Sequence, residues 1–271
     1  MAKIYGSNRV IGTIGKVRHY ILPGVEGIVA AECGGANKNL IMNNPAFART
    51  RENMEEWKGA VLMGNKVWEG LGTSARPIVN RFLTGALNKA MLKVLRTDLV
   101  GLRGSRTIFL SEHKNMLDYL QYWYYKPFRD VMKCRFEVDT GPDRRSVTVR
   151  LINLIPSDQI NPPAEATHFN FFLNIGAVCD LYHKQDGEDG YVPVYDSNRM
   201  QFGIQGIESE WFPIDAKSQG DKTFTVTLPD KFVLADDMTV LRIFGIVYGK
   251  MTSEVEPLKK DRGSCEFLGA V

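Results

Sequence analysis

The chain has 271 residues and a formal net charge of +3 at pH 7, with 44% hydrophobic and 24% charged residues. This composition is ordinary for a globular protein, and the length suffices for one large domain or two small ones. No apolar run approaches the ~20 residues of a membrane-spanning helix, and the first residues lack the apolar segment of a secretory signal peptide. We therefore expect no membrane span and a cytoplasmic location by default, with signal-independent export left open.

Basic residues dominate the front of the chain. Residues 1–105 contain 15 Lys and Arg against 7 Asp and Glu, whereas residues 106–271 contain 19 against 24. Solvated helix faces explain this division without any partner. Alternatively, the basic front contacts nucleic acid, or it matches the acidic part of another copy head to tail.

The first zone, residues 1–42, predicts a β-hairpin. Loose alternation over 9–21 indicates one strand, and the apolar run 27–32 indicates the returning strand. Between them, Leu22-Pro23-Gly24-Val25 fits a type II turn, because Pro presets φ at the second position and Gly accepts the positive φ of the third. A two-stranded hairpin is only marginally stable alone. We expect it to dock on helices, to join a further sheet, or to pair with a neighbour's sheet edge.

A helix start follows at residues 43–57. Asn44 predicts the N-cap, and Pro45 predicts the first helical position. Arg49, Arg51 and Glu52 crowd the first turns, where guanidinium groups suit carboxylates or backbone carbonyls across an interface. We predict that this run docks the hairpin onto the helix, within one chain or between copies.

The predicted first helix carries a seven-residue repeat. One set of positions holds Phe47, Met54, Val61 and Trp68, and the set three residues later holds Thr50, Trp57, Gly64 and Leu71. This a/d-like seam predicts Trp57 and Trp68 as interface residues. Gly59, Gly64 and Gly70 each weaken a helix by ~1 kcal/mol relative to Ala. We expect either the close approach of another element or a break near Gly59 or Gly64.

Residues 77–95 predict a second, amphipathic helix that begins at Pro77 and packs antiparallel to the first after a short loop. Its opposite face carries Arg81, Lys89, Lys93 and Arg96. These side chains are candidate contacts for a nucleic-acid phosphate backbone. A solvated face is the simpler interpretation, because no aromatic, Asn or Gln side chain that reads a base is interleaved.

The third zone, residues 106–271, changes to a period of two. It predicts strands over 135–138, 146–154, 168–175, 223–228, 239–248 and 265–268. Gly-Pro, Pro-Pro and Asp-Gly turns separate these strands, a pattern that favours an antiparallel β-sandwich. We therefore predict an α+β fold with an N-terminal β-hairpin, a helical hairpin and a C-terminal antiparallel β-sandwich, in domains 1–105 and 106–271.

Residues 116–125 are densely aromatic, with Tyr119, Tyr122, Trp123, Tyr124 and Tyr125. We predict a first strand or a junction that packs the helices on the sandwich. A stacking platform for bases or a sugar-binding patch is the alternative.

No pattern typical of a catalytic, metal or cofactor site occurs in the sequence. HExxH, CxxC, GxSxG and P-loop motifs are all missing. His168, at a predicted strand start, is expected to be structural, and the acidic loop 186–190 beside His183 lacks the spacing of a calcium loop. Cys33, Cys134, Cys179 and Cys265 are scattered and are expected to be reduced thiols. We therefore predict a protein that is no enzyme and holds no metal or cofactor.

Three blocks of the chain carry a family resemblance. They are the glycine-rich N-terminal hairpin, the run Asn44-Pro45-Ala46-Phe47-Ala48-Arg49-Thr50-Arg51-Glu52-Asn53, and the strand entry Pro163-Ala164-Glu165-Ala166-Thr167-His168-Phe169. Taken in order, they resemble an uncharacterised family of similar length from Bacteroidetes-type bacteria, and the Pro-x-Phe-x-Arg-Thr-Arg-Glu-Asn run is the most specific part. Members usually continue towards a phenylalanine and a Gly/Ala-Lys segment, where this chain has residues 55–59. The resemblance implies a C-terminal β-domain and no particular activity.

Two functions follow as hypotheses, and an enzyme whose residues only the fold brings together is left open as the third class. The first is a structural or interaction protein that self-assembles into a homo-oligomer or filament through the N-terminal hairpin and the helices. The unsupported hairpin, the charge division and the missing catalytic motifs favour it. The alternative is a nucleic-acid-binding protein that uses the basic N-terminal half.

Overall fold

The structure is a computed structural model that describes residues 2–4, 10–124, 126–184, 190–193, 203–258 and 262–271. Its helices are α1 (Lys38–Asn43), α2 (Ala48–Gly70), α3 (Leu83–Leu95), α4 (Phe128–Val131) and α5 (Pro156–Gln159), with 3₁₀ turns at Pro45–Phe47 and Lys114–Leu117. Its first nine strands are β1 (Ala2–Ile4), β2 (Gly12–Ile14), β3 (Val17–Tyr20), β4 (Ile28–Glu32), β5 (Phe136–Thr140), β6 (Ser146–Leu154), β7 (His168–Val178), β8 (Leu181–Lys184) and β9 (Gly190–Pro193). The remaining strands are β10 (Ile204–Glu208), β11 (Phe212–Pro213), β12 (Gly220–Thr227), β13 (Thr239–Met251), β14 (Val255–Pro257) and β15 (Ser264–Ala270).

The chain divides into two compact units, an N-terminal unit (Met1–Arg51) and a C-terminal unit (Glu52–Val271). The predicted domains divide instead at residue 105. The units divide earlier because α2 and α3 bury their apolar side chains with the C-terminal strands. Val67 of α2, Leu87 of α3 and Phe244 of β13 belong to one hydrophobic cluster.

The N-terminal unit contains a four-stranded antiparallel sheet in the order β1-β4-β3-β2. The predicted type II turn is confirmed, because the Val25 N–H donates to Leu22 O at 3.0 Å and Gly24 has a φ of 81°. The single strand predicted over 9–21 is wrong. It divides into β2 and β3 at Gly15, whose φ of 59° permits a tight connection.

The predicted N-cap, Asn44, is confirmed. The Asn44 side chain accepts a hydrogen bond from the Ala46 N–H, and Pro45 takes the first position of the 3₁₀ turn that leads into α2. The short helix α1 precedes it, with Asn37 Oδ1 accepting from the Leu40 N–H at 2.8 Å. Sequence reasoning missed α1.

The buried face of α2 differs from the predicted seam. It consists of Glu56, Gly59, Ala60, Met63, Gly64, Val67 and Gly70. Met54 and Trp57 of the predicted seam are exposed, and Trp68 is only partly buried. The heptad repeat predicts a face that contains both tryptophans, whereas four of the seven buried residues are Gly or Ala. Small side chains let neighbouring elements approach the helix closely.

α2 is continuous through Gly59 and Gly64. The first of the two expectations is therefore confirmed, because the glycines of α2 allow other elements to approach the helix closely. A methyl group added at Gly59 would lie 2.6 Å from the Tyr191 ring, and one added at Gly70 would lie 2.8 Å from Leu241 Cδ1. Gly64 meets Asn88 of α3 in the same way.

The C-terminal end of α2 lies directly on β7. A methyl group added at Gly176 of β7 would overlap the carbonyl oxygen of Gly70. The chain then turns at Gly72, where φ is 84°, and Asn174 Nδ2 of β7 donates to Leu71 O at 2.9 Å. Glycine on both sides of the contact lets two backbones meet.

The second helix begins later than predicted. Residues 73–78 form turns, and Val79 makes an isolated bridge to Trp123, so Pro77 does not start the helix. α3 starts at Leu83. Its predicted apolar stripe is confirmed from there onward, with Leu83, Leu87, Ala90, Met91, Val94 and Leu95 buried.

The C-terminal unit is rich in β-structure. In its six-stranded sheet, β7 pairs with β10, β11 and β13, and β13 also pairs with β14 and β15. β12, β6 and β5 form a three-stranded sheet, and β8 pairs with β9. All six predicted strands are present in this part of the chain. The protein therefore has a mixed α and β fold with a β-rich C-terminal part.

β7 is buried on both faces. Asn174 and Gly176 point towards the end of α2, whereas Phe171 lies on the opposite face. There Phe171 contacts Phe224 of β12, with ring centroids 5.8 Å apart, and Phe244 of β13, with centroids 5.4 Å apart. These rings join the six-stranded and three-stranded sheets.

The strand predicted for the aromatic segment 116–125 is wrong for the residues that the structure describes. The segment leaves a 3₁₀ turn and forms no strand, apart from the isolated bridge of Trp123 to Val79. Tyr122 is buried and stacks on Phe267 of β15 at 4.7 Å, whereas Tyr119 is exposed. Tyr125 lies outside the described residues.

Gly176→Ala tests the contact between α2 and β7. Because the added methyl group would overlap backbone atoms, we expect the free energy of unfolding to fall by roughly 1–3 kcal/mol or more. Urea unfolding followed by circular dichroism measures this change. Gly85→Ala in α3 is the matched control, since the space around Gly85 is open. Removing that helical glycine should stabilise the fold by up to about 1 kcal/mol. Equal losses in both variants would contradict the close-contact explanation.

Candidate interaction surfaces

The N-terminal unit has a small core and a large apolar surface. Of its described residues, only Ile28 and Val29 are buried. Its exposed large apolar side chains are Val10, Ile11, Ile14, Val17, Ile21, Leu22, Leu40 and Met42. The described residues of this unit thus expose more large apolar side chains than they bury, and burial of apolar side chains is what normally stabilises a small domain.

One part of this surface lies at the edge of the sheet. Ile14 of β2 is paired with Val17 of β3, so both side chains point to the same face, and they are 58% and 37% exposed. Val10 and Ile11 lead into β2 and are also exposed. β2 ends the strand order of the described sheet, which leaves one side of its backbone for another strand. We call Val10, Ile11, Ile14 and Val17 the N-terminal edge patch.

Arg51, in the arginine-rich helix start, binds two backbone carbonyl groups of the preceding residues. Arg51 Nη1 donates to the carbonyl oxygens of Ile41 at 2.7 Å and Asn44 at 3.0 Å. It therefore holds the end of α1 against the start of α2. Glu52 forms an ion pair with Arg103, with 3.5 Å between Oε2 and Nε, and Arg49 is exposed. A role for these residues between copies stays a prediction.

The two tryptophans predicted for the interface lie in different surroundings. Trp57 is 47% exposed on α2, whereas Trp68 packs against the hydrophobic core of the C-terminal unit. Trp57 thus offers surface to a partner, and Trp68 contributes mainly to the fold. Their placement at an interface stays a prediction.

The predicted phosphate contacts are all at the surface. Lys89, Lys93 and Arg96 follow one exposed face of α3 into its C-cap, and we call them the basic strip. Arg81 precedes the helix, with its guanidinium carbon 4.8 Å from the ring centroid of Phe82 and 5.8 Å from that of Tyr124. Arg81 therefore belongs to an aromatic cluster beside the start of α3.

A loop that sequence reasoning missed follows the basic strip. Leu99, Val100 and Leu102 are 89%, 96% and 76% exposed. We call these three residues the apolar loop. The sequence here has no helical or strand period, so nothing in the pattern predicts which way its side chains face.

Asp98 fixes the start of the apolar loop. Its Oδ1 accepts from the N–H groups of Val100 at 3.0 Å and Gly101 at 2.8 Å, and its Oδ2 accepts from that of Thr107 at 2.8 Å. Burial by itself raises the pKa of Asp98, but these donors and the charge of Arg106 together hold the pKa below its ordinary value of 3.8.

Two further buried carboxylates hold the same segment. Glu56 of α2 is 3% exposed, accepts from the Gly104 N–H at 3.0 Å and lies 3.4 Å from Arg106 Nη1. Asp180 accepts from the N–H and O–H groups of Ser111 at 3.0 and 2.6 Å, and burial raises its pKa. In the part of the chain that the structure describes, Glu56, Asp98 and Asp180 are all the buried carboxylates. Each of them binds the segment 98–111.

The described residues contain no group of three or more His, Cys, Asp or Glu side chains placed to hold a metal ion. His168 begins β7, with its Nδ1 3.0 Å from Thr167 Oγ1. His183 packs edge-on against Tyr191, and the acidic residues 186–189 beside it lie outside the described residues. Within the described ranges, no helix is both long enough and apolar enough to cross a membrane.

Comparison with known proteins finds no match to a protein-family model, to a curated protein or to a solved structure. The resemblance of the Asn44–Asn53 run to a Bacteroidetes-type family therefore stays a prediction.

Asp98→Asn tests the anchoring of the apolar loop. Because the folded-state pKa lies below 3.8, the ionised carboxylate stabilises the fold above that pH, and this contribution is lost as the pH falls through the folded-state pKa. We expect the variant to lose about 1–2 kcal/mol of unfolding free energy at neutral pH. The difference from the unsubstituted protein should shrink below pH 3.8. Urea unfolding over a pH series measures both effects.

The control for this experiment is Asp215→Asn, which changes an exposed carboxylate. We expect it to alter stability little at any pH. A loss in Asp98→Asn that stays constant down to acid pH would show that the charge of Asp98 is not what stabilises the loop.

Proposed function

We propose that this protein is a non-enzymatic structural or interaction protein that assembles with copies of itself through its N-terminal unit. The exposure of the N-terminal edge patch carries the proposal. A sheet that buries only Ile28 and Val29 among its described residues gains stability when its apolar side chains are covered. A second copy is the partner that is always present at equal concentration.

The charges of the two units favour a particular arrangement. The N-terminal unit has seven Lys and Arg against two Asp and Glu, a net charge of +5, whereas the C-terminal unit has 27 against 29, a net charge of −2. Opposite charges favour contact between the N-terminal unit of one copy and the C-terminal unit of the next. Such head-to-tail contacts build rings when they close and filaments when they do not.

The edge strand β2 supplies the geometry for that contact. Among the described residues, β2 has a strand on one side only, and a strand of a neighbouring copy can add on the other side by antiparallel or parallel hydrogen bonding. Ile14 and Val17 would then be covered by the added strand's side chains. In the same proposal, the six-stranded and three-stranded sheets form a β-sandwich, supported by the contact of Phe171 with Phe224.

Ile14→Lys tests self-assembly. Ile14 is already 58% exposed, so the substitution leaves the folded chain intact, but it places a charge in the proposed contact. We expect the unsubstituted protein to form oligomers or filaments and the variant to associate at least about tenfold more weakly, for a loss of 1.4 kcal/mol or more. Size-exclusion chromatography with light scattering measures the mass, and electron microscopy distinguishes rings from filaments.

Val233→Lys is the matched control, since Val233 is a 61% exposed residue of the C-terminal unit. It should leave assembly unchanged. A full-length protein that stays monomeric at every concentration tested would overturn the proposal. Equal weakening by both lysines would show that added charge, rather than the edge patch, controls association.

Nucleic-acid binding is the second candidate function, and the exposure of Lys89, Lys93 and Arg96 on one face of α3 favours it. If these three residues neutralise three phosphates, log affinity for duplex DNA should fall with log salt at a slope of about −3. Replacing all three by Gln should remove most of that slope, as measured by fluorescence anisotropy with labelled duplex. Absence of binding at low salt would eliminate this candidate.

A further inference from the structure

The apolar loop is exposed to a degree that single surface residues do not explain. Isolated exposed apolar side chains are normal on any protein. Here Leu99, Val100 and Leu102 occupy three of four successive positions, and each is at least 76% exposed. Because these side chains are almost completely exposed, they protrude from the surface and contact little of the protein. A protruding apolar cluster marks a contact with a partner.

Hydrogen bonds to buried carboxylates keep the side chains of the apolar loop exposed. The N–H groups of Val100, Gly101, Gly104 and Thr107 are all bound by buried carboxylates of Asp98 and Glu56. The Ser105 N–H also donates to Leu102 O at 2.9 Å. With its backbone groups occupied in this way, the segment cannot turn its apolar side chains inward without breaking hydrogen bonds to buried charges. The exposure is thus built into the structure.

Positive charge adjoins the protruding side chains. Arg96 forms the C-cap of α3 three residues before Leu99, and Lys93 lies in the last turn of that helix. Both are exposed, and neither forms an ion pair within the part of the chain that the structure describes. Arg103 follows the loop, but Glu52 and Asn53 bind its guanidinium. Within the described part of the chain, Lys93 and Arg96 are therefore the cations available directly beside the apolar loop.

We propose that the apolar loop and the neighbouring cations Lys93 and Arg96 dock the protein on an anionic lipid surface. Leu99, Val100 and Leu102 enter the interfacial layer of the bilayer, where apolar side chains leave water. Lys93 and Arg96 remain at the level of the headgroups and are attracted by their negative charge. This arrangement anchors the protein to one face of a membrane without spanning it.

The chemistry favours lipid over the other partners. Nucleic acid offers phosphates to Lys93 and Arg96, but the aliphatic tips of Leu99 and Val100 find little apolar surface on it. The edge patch proposed for contact with a second copy belongs to a different unit from the apolar loop. An anionic bilayer supplies both an apolar layer and negative charge at the same surface.

Vesicle co-sedimentation of the full-length protein tests the proposal. Two vesicle types are compared, one of phosphatidylcholine alone and one of phosphatidylcholine with phosphatidylglycerol in equal parts. We expect binding to the anionic vesicles and much weaker binding to the neutral ones. Leu99→Ser with Val100→Ser should lower the partition coefficient at least about tenfold. Lys93→Gln with Arg96→Gln should lower it about tenfold on anionic vesicles only.

Matched controls come from exposed residues elsewhere in the C-terminal unit. Val233→Ser removes an exposed apolar side chain, and Lys133→Gln with Lys250→Gln removes two exposed cations. Both control variants should bind like the unsubstituted protein. Light scattering of every variant shows whether its assembly state has changed. The test therefore separates membrane docking from the proposed self-assembly.

A fluorescent label at position 100 reports insertion directly. Cys33 is the exposed cysteine of the chain, while Cys134, Cys179 and Cys265 are buried. In a Cys33→Ser background, Val100→Cys therefore directs an environment-sensitive dye to the loop. Its emission should shift to the blue with anionic vesicles, and a label placed by Val233→Cys should not shift.

Three results would overturn the proposal. The first is the absence of vesicle binding by the unsubstituted protein. The second is binding that Lys93→Gln with Arg96→Gln abolishes but Leu99→Ser with Val100→Ser leaves intact, because attraction of surface charge alone would then explain it. The third is a change of oligomeric state caused by Leu99→Ser with Val100→Ser in solution, with no vesicles present. That result would assign the loop to a contact between copies.

Discussion

The arrangement of the C-terminal unit depends on one backbone contact, where the end of α2 lies on β7. Gly176 of β7 has no room for a side chain because the carbonyl oxygen of Gly70 occupies that space. Asn174 reinforces the contact from the same strand by donating to Leu71 O. The approach is possible only where both elements carry glycine, so a single contact fixes the height and position of a 23-residue helix above the sheet.

Fixing α2 also places the apolar loop. The same helix that lies on β7 at Gly70 carries Glu56, whose buried carboxylate binds the Gly104 N–H and lies beside Arg106. A buried charge of this kind is costly unless it is fully paired, so the loop must remain in place for the helix to be stable. The exposure of Leu99 and Val100 is therefore coupled to the core, because Glu56 and the sheet contact share one rigid element.

The two proposed partner surfaces use different physical chemistry. The N-terminal edge patch combines a strand edge with the apolar pair Ile14 and Val17, which suits the addition of another strand. The apolar loop offers no strand edge and presents side chains that stand clear of the protein. One surface suits a contact with another copy of the protein, and the other suits a fluid layer that adapts its shape to the inserted side chains. Neither surface requires a catalytic group.

The sequence by itself determined the features that depend on neighbouring residues. The Asn44 cap, the type II turn at Gly24, the apolar stripe from Leu83 onward and the six C-terminal strands all follow from local propensity and period. The tertiary structure decided which face of α2 is buried, where the compact units divide, and that Glu56, Asp98 and Asp180 converge on one loop. Those features depend on partners distant in the chain. A glycine that looks like a weakness in a helix becomes the point of closest approach only when β7 lies beneath it, and an aspartate after a helix becomes a loop anchor only when the surrounding core excludes water.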